Sequence, residues 1–232
     1  MRRKVVLTTA LAVGVLGGVL SAPASATVVN PGDTGLAPDT ILASEVTGTP
    51  LLADTGVKNF TLTNGLGQSL ASGNFREIVV VDSITRFLDF VYEFEVTSTT
   101  TNVVDRMSTG SYAGFTTDVG VCPSCPDVVA LNAPQDGNAT PSTVDRSGDG
   151  STIGFNFSGG ISGPSGDTYD LIIATDAPYF TKGSTQLIDN GTANLVGFAP
   201  AATPEPGTLT LFGSGLIALA GLVRRKCAQA RA

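Results

Sequence analysis

The chain contains no histidine and no tryptophan, and its only aromatic residues are eleven phenylalanines and four tyrosines. Without imidazole, the Ser-His-Asp and Cys-His nucleophile arrangements are excluded, and with them most zinc sites. Without indole, a sugar-stacking platform has only Phe and Tyr rings to draw on. Cysteine is scarce: of three, only Cys122 and Cys125 lie in the body of the chain, while Cys227 sits near its end. Charge is sparse too, at 14% of residues, and unevenly placed. Residues 27–203 hold 19 acidic and 6 basic side chains, and the other seven of the thirteen cations lie at the two ends. A net charge of −13 over that stretch argues against nucleic acid or anionic lipid as a partner. It is compatible with divalent cations and with solubility.

What is present begins with the two ends. Met1, Arg2, Arg3 and Lys4 form a positive n-region, residues 5–20 an apolar run, and Ala24-Ser25-Ala26 a small-x-small cleavage site. Residues 1–26 therefore read as a signal peptide with the mature chain starting at Thr27. At the other end, residues 200–207 are proline-rich, 208–223 are apolar and uncharged, and Arg224, Arg225 and Lys226 stop the run. Sixteen residues of helix reach roughly 24 Å, against a hydrocarbon core of ~30 Å. Snorkelling arginines and local thinning cover the difference. The expectation is a linker (200–207), one transmembrane helix (208–223) and a basic cytoplasmic tail (224–232), oriented by the positive-inside tendency.

Pro204-Glu205-Pro206, one apolar segment and the cluster Arg224, Arg225 and Lys226, in that order, resemble the PEP-CTERM sorting signal. The resemblance implies recognition of this tail by an exosortase-like membrane protease, which removes or exchanges it. It also implies a Gram-negative, polysaccharide-producing bacterium, with the inner membrane and extracellular polysaccharide as surroundings. The protein would be exported, transiently anchored in the inner membrane, and then placed on the outer surface or in the extracellular matrix. The nine residues from Arg224 onward, with Cys227, are a longer end than many members carry.

Residues 27–199 are read as one exported domain, long enough for a proper core. Leu88, Phe90, Tyr92, Phe94 and Val96 alternate with Asp89, Val91, Glu93 and Glu95, the period of a strand with one buried and one wet face. Further strands are expected at 78–81, 102–109, 112–121, 127–131, 152–158, 169–175, 185–188 and 193–198. Turn-forming Ser72-Gly73-Asn74, Asp149-Gly150, Ser158-Gly159-Gly160 and Asn190-Gly191 fall between them. No helical period runs through the body. The fold class is all-β, an antiparallel β-sandwich or jelly-roll-like domain.

Three groups could carry chemistry. Glu93 and Glu95 are paired carboxylates of the kind a glycosidase uses, or a solvated strand face. Cys122-Pro123-Ser124-Cys125 is a C-x-x-C motif. In an exported chain it reads as a disulfide closing a small loop; the redox alternative would need a helix N-terminus, and zinc would need more ligands. Asp145, Ser147 and Asp149 place oxygens at positions 1, 3 and 5 of a loop with Gly150 at 6, as calcium loops do, but position 12 is Asn156. A glycine-rich hairpin turn explains the same residues without metal. No cofactor is expected, apart from that possible calcium. The expected role is non-enzymatic, structural or adhesive. The alternatives are a carbohydrate- or calcium-binding module, and more remotely a secreted hydrolase using carboxylates.

Overall fold

The β-branched and aromatic runs become strands, and the described chain is all-β. The computed structural model describes residues 26–41, 46, 51–99, 103–123, 125, 137–164 and 166–202. Residues 1–25 of the signal segment, Ala24 among them, lie outside these residues, as do Pro204, Glu205, Pro206, the apolar segment 208–223, Arg224, Arg225, Lys226 and the strand expected at 127–131. Among the described residues no helix is long and apolar enough to cross a membrane.

In chain order the strands are β1 (Thr27–Val28), β2 (Asp39–Thr40), β3 (Leu51–Asp54), β4 (Lys58–Thr63), β5 (Ser69–Val81), β6 (Leu88–Thr99) and β7 (Val104–Thr109). They continue with β8 (Thr117–Cys122), β9 (Thr143–Arg146), β10 (Ile153–Ile161), β11 (Gly166–Asp167), β12 (Asp170–Thr175), β13 (Tyr179–Asp189) and β14 (Gly191–Ala201). All belong to one sheet, ordered β1-β8-β12-β6-β5-β4-β14-β13-β7-β10-β9, with β2 on β8, β3 on β5 and β11 on β6. Pairing is antiparallel except between β2 and β8. A single curled sheet thus stands where separate layers were expected. Its two ends are drawn together by residues 29–36, which follow β1 on the β8 edge. There Leu36 and Val144 of β9 exchange both backbone hydrogen bonds, and the Arg146 amide donates to the Asp33 carbonyl at 2.9 Å. Residues 27–40 act as a clasp.

The inner face of the curl carries one core, to which β6 contributes Leu88, Phe90, Tyr92, Phe94 and Val96 and β5 contributes Phe75 and Val79. The alternation in β6 therefore appears as expected, but the face assumed wet does not. Asp89, Val91 and Glu93 are buried. The reason is that β6 is central, and its outer face carries a second apolar cluster. Val91, Ile78, Val80 and Ile172 pack there against Ile41, Val46, Cys122 and Cys125. A period of two tells which residues share a face, not whether that face is covered.

Several boundaries shift for local reasons. Ser72-Gly73-Asn74 is no turn; it lies within β5, where the register with β6 slips by a bulge between Ser72 and Gly73. A Cβ at Gly73 would stand 1.8 Å from the Glu95 carbonyl oxygen, so the close strand approach requires glycine. Gly159 and Gly160, with φ of 86° and 67°, form a bulge inside β10 rather than an end. β13 runs from Tyr179, well before the expected Thr185; its first half is mostly exposed and carries no apolar alternation to reveal it. Eleven registered pairs with β14 hold it nonetheless. β14 itself includes Pro200 and Ala201, two residues expected in the linker.

Candidate functional site

The loop from Asp145 to Ser151 is organised by arginines, which the oxygen spacing had hidden. Asp145 lies on β9, and its carboxylate receives two hydrogen bonds from Arg106 of β7, one of them Nη2 to Oδ1 at 2.7 Å. Asn156 of β10 adds a third, at 2.7 Å. The Arg106 guanidinium reaches Asp145 by crossing Gly154, where a Cβ would stand 2.0 Å from Nη2. This contact holds the Asp145 carboxyl below its usual range. Asp149 is satisfied differently: its Oδ1 accepts from the Ser147 hydroxyl at 2.6 Å, the Ser151 hydroxyl at 2.8 Å and the Ser151 amide at 3.0 Å. These donors lower its pKa to about 2.

So Ser147 and Asp149 are brought together, and Asp145 is committed elsewhere. Among the described residues no three His, Cys, Asp or Glu side chains gather as a metal site. The centre of the loop is Arg146, which is 3% exposed. Its guanidinium donates to the carbonyls of Gly150, Val29, Tyr112 and Phe115 and to the Thr117 hydroxyl, all at 2.8–3.0 Å. Gly150 turns back with φ of +71° to present its carbonyl. A buried cation held by four carbonyls is a structural device that binds the loop to the clasp.

Cys122 ends β8, and Cys125 follows three residues later, with Sγ atoms 2.05 Å apart and Cα atoms 5.4 Å apart. Both are buried in the outer apolar cluster. On its N-terminal side the motif closes a strand.

The carboxylate pair on β6 does not stand free. Glu93 is buried and registered with Arg76, while Glu95 accepts from the Asn74 amide at 3.2 Å and is registered with Asp167 of β11. Burial, and then the Glu95 charge, push Asp167 up to about 7.

A different carboxyl is more perturbed. Glu77 of β5 is fully buried, registered with Tyr92, and burial raises its pKa to about 8. The Phe198 amide donates to its Oε2 at 3.1 Å and offsets part of that rise, as does the nearby Tyr92 hydroxyl. Among the described residues its Oε1 and the Thr185 Oγ1 have no partner. Around them the Tyr92 and Tyr112 hydroxyls bond at 2.6 Å, with Thr109 at 3.4 Å from Tyr92. The sequence signal was parity: Glu77 shares its face with Phe75 and Val79, both in the core.

The strongest functional signal lies just past the last strand. Residues 202–226 match the PEP-CTERM protein-sorting motif family. No curated protein and no solved structure matches the chain.

Proposed function

We propose, for a chain that carries a PEP-CTERM protein-sorting motif at residues 202–226, that it is an exported cargo whose tail is an address. A motif of this kind implies an exported, transiently membrane-anchored protein processed by exosortase, a membrane protein. In this reading residues 1–26 are removed on export and the segment 208–223 holds the chain in the inner membrane, with Arg224, Arg225 and Lys226 inside. An exosortase-like protease then acts at Pro204-Glu205-Pro206. The β domain is left on the outer surface or in the extracellular matrix, in a structural or adhesive role without catalysis. The observation that carries this is position: β14 ends at Ala201 and the motif starts at the next residue, so the address follows the folded domain without an intervening spacer.

The experiment replaces Pro204, Glu205 and Pro206 by alanine in the native host and follows the chain by fractionation and intact mass. The expected result is a full-length form that accumulates in the membrane, while the unaltered chain is shortened and released. Equal release of both would refute the reading.

A further inference from the structure

We propose that the groove between the start of β4 and the end of β14 binds a carboxylated sugar, a hexuronate unit of an acidic glycan. β4 and β14 are registered at Thr63–Thr192. Toward the other end of the two strands lies an opening of about 440 Å³, lined among others by Lys58, Asn59, Lys182, Asn194, Val196 and Phe198. That volume falls within the ~300–1,000 Å³ of small-molecule sites.

The charge distribution makes the groove unusual. Residues 27–203 hold six cations, only two of them lysines, and both lysines line this groove. Arg76 is paired with Asp54, Arg106 with Asp145, and Arg146 is surrounded by carbonyls. Lys58 and Lys182 are in no ion pair among the described residues; Asp54, whose charge Lys58 feels, is engaged by Arg76 through two hydrogen bonds. Two lysines lining one concavity, in a domain of net charge −13, mark a place where an anion is favoured.

The remaining lining narrows the anion. Asn59 and Asn194 supply amide donors and acceptors suited to hydroxyl groups. Val196 is 68% exposed, and the Phe198 ring is steadied by Phe180 in an edge-to-face contact at 5.5 Å. An exposed apolar wall beside a fixed ring suits the C–H face of a pyranose. Lys182 stands directly across from Phe198 in the β13–β14 register, so cation and ring are neighbours. A phosphate ion would leave the apolar wall unused, and a fatty acid would leave the amides unused. A sugar acid uses all three kinds of group at once.

The test uses the full chain in detergent and a trigalacturonate probe, followed by calorimetry and by amide chemical shifts of β4 and β14. Binding is expected, with the shifts confined to the groove. Neutral trigalactose should bind at least about tenfold more weakly, as should a triglutamate peptide. Lys58→Gln and Lys182→Gln should each weaken binding by roughly five- to tenfold. The double variant should abolish it, Lys182→Arg should retain it, and Arg86→Gln, on the turn after β5, should change nothing. Unaltered melting curves show that the variants are folded. No heat or shift with trigalacturonate at about 10 mM, where a millimolar site is ~90% filled, overturns the proposal. So does undiminished binding by the double variant, or triglutamate binding as tightly as the sugar. None of these readouts involves processing of the tail, so a failure here is separate from a failure of the sorting reading.

Discussion

Glu77 shows how much one side chain can hold. The backbone of β5 aims it into the core between Phe75 and Val79, beneath Gly197, where a Cβ would stand 2.0 Å from its Oε2. Its pKa of about 8 against an ordinary 4.5 means that the folded state binds the proton more tightly than the unfolded one. The contribution is therefore fully present below pH 4.5 and is lost as pH rises toward 8, at up to ~1.4 kcal/mol per pH unit within that window. Asp167, raised to about 7, acts in the same direction, so the difference between variants isolates Glu77. Urea unfolding at pH 5 and pH 8 should show the wild-type chain losing a few kcal/mol more than Glu77→Gln, which stays neutral throughout. Parallel losses would show that the carboxyl is charged at both pH values. The sequence offered the parity of Glu77 but not its burial, because nothing in a lone Glu-Ile-Val-Val-Val string says which face meets the core. The same limit hid Arg146: the oxygens of Asp145, Ser147 and Asp149 stand out in the string, while three of the four carbonyls that hold the guanidinium come from distant positions.

At the level of single strands, legibility followed apolar alternation. β6 stood out because its core face is unbroken, and β12 did so because Leu171, Ile172 and Ile173 are buried on both sides. Half of β13 was invisible, since its cohesion is backbone pairing with β14. The C-x-x-C motif could be placed at the end of β8 because Gly120-Val121-Cys122 ends an apolar run. That placement carries a prediction. Cys122 and Cys125 are buried in one cluster with Ile41 and Val46, shielded from reductant, and should be oxidised to each other in the exported chain. Intact-mass analysis after alkylation without reductant should find no label on either residue. With so short a loop, reduction should cost little, near the low end of the ~0–5 kcal/mol range for disulfides. Two labelled thiols in the folded chain would refute the pairing.

For the whole molecule, the sequence made the all-β class plain, yet the closure of the sheet was out of its reach. The clasp of residues 27–40 has little apolar pattern, and it works by spanning two edges that only the curl brings together. Arg146 is its lock, donating from β9 to the Val29 carbonyl and to Thr117 on β8. Arg146→Met should strand several buried carbonyls at ~1–3 kcal/mol each, a loss of at least about 3 kcal/mol. Thermal melting of the full chain should fall by roughly 6–12 °C. Arg106→Met removes a part-buried pair that water still reaches and should cost less, about 1 kcal/mol. Equal losses from the two substitutions would mean that Arg146 is not the lock.

The placement of β14 sets an order in time. It is the last of the described strands, yet it stands mid-sheet, between β4 and β13. As the polypeptide emerges, everything before residue 191 can form at most two partial sheets with β4 and β13 as open edges, the kind of edge that pairs with neighbouring copies. On that side the final eleven residues, Gly191–Ala201, join them, as the clasp of residues 27–40 does on the other. Closure of the domain therefore waits for the stretch of chain that immediately precedes the sorting motif, so the seam and the address are made one after the other.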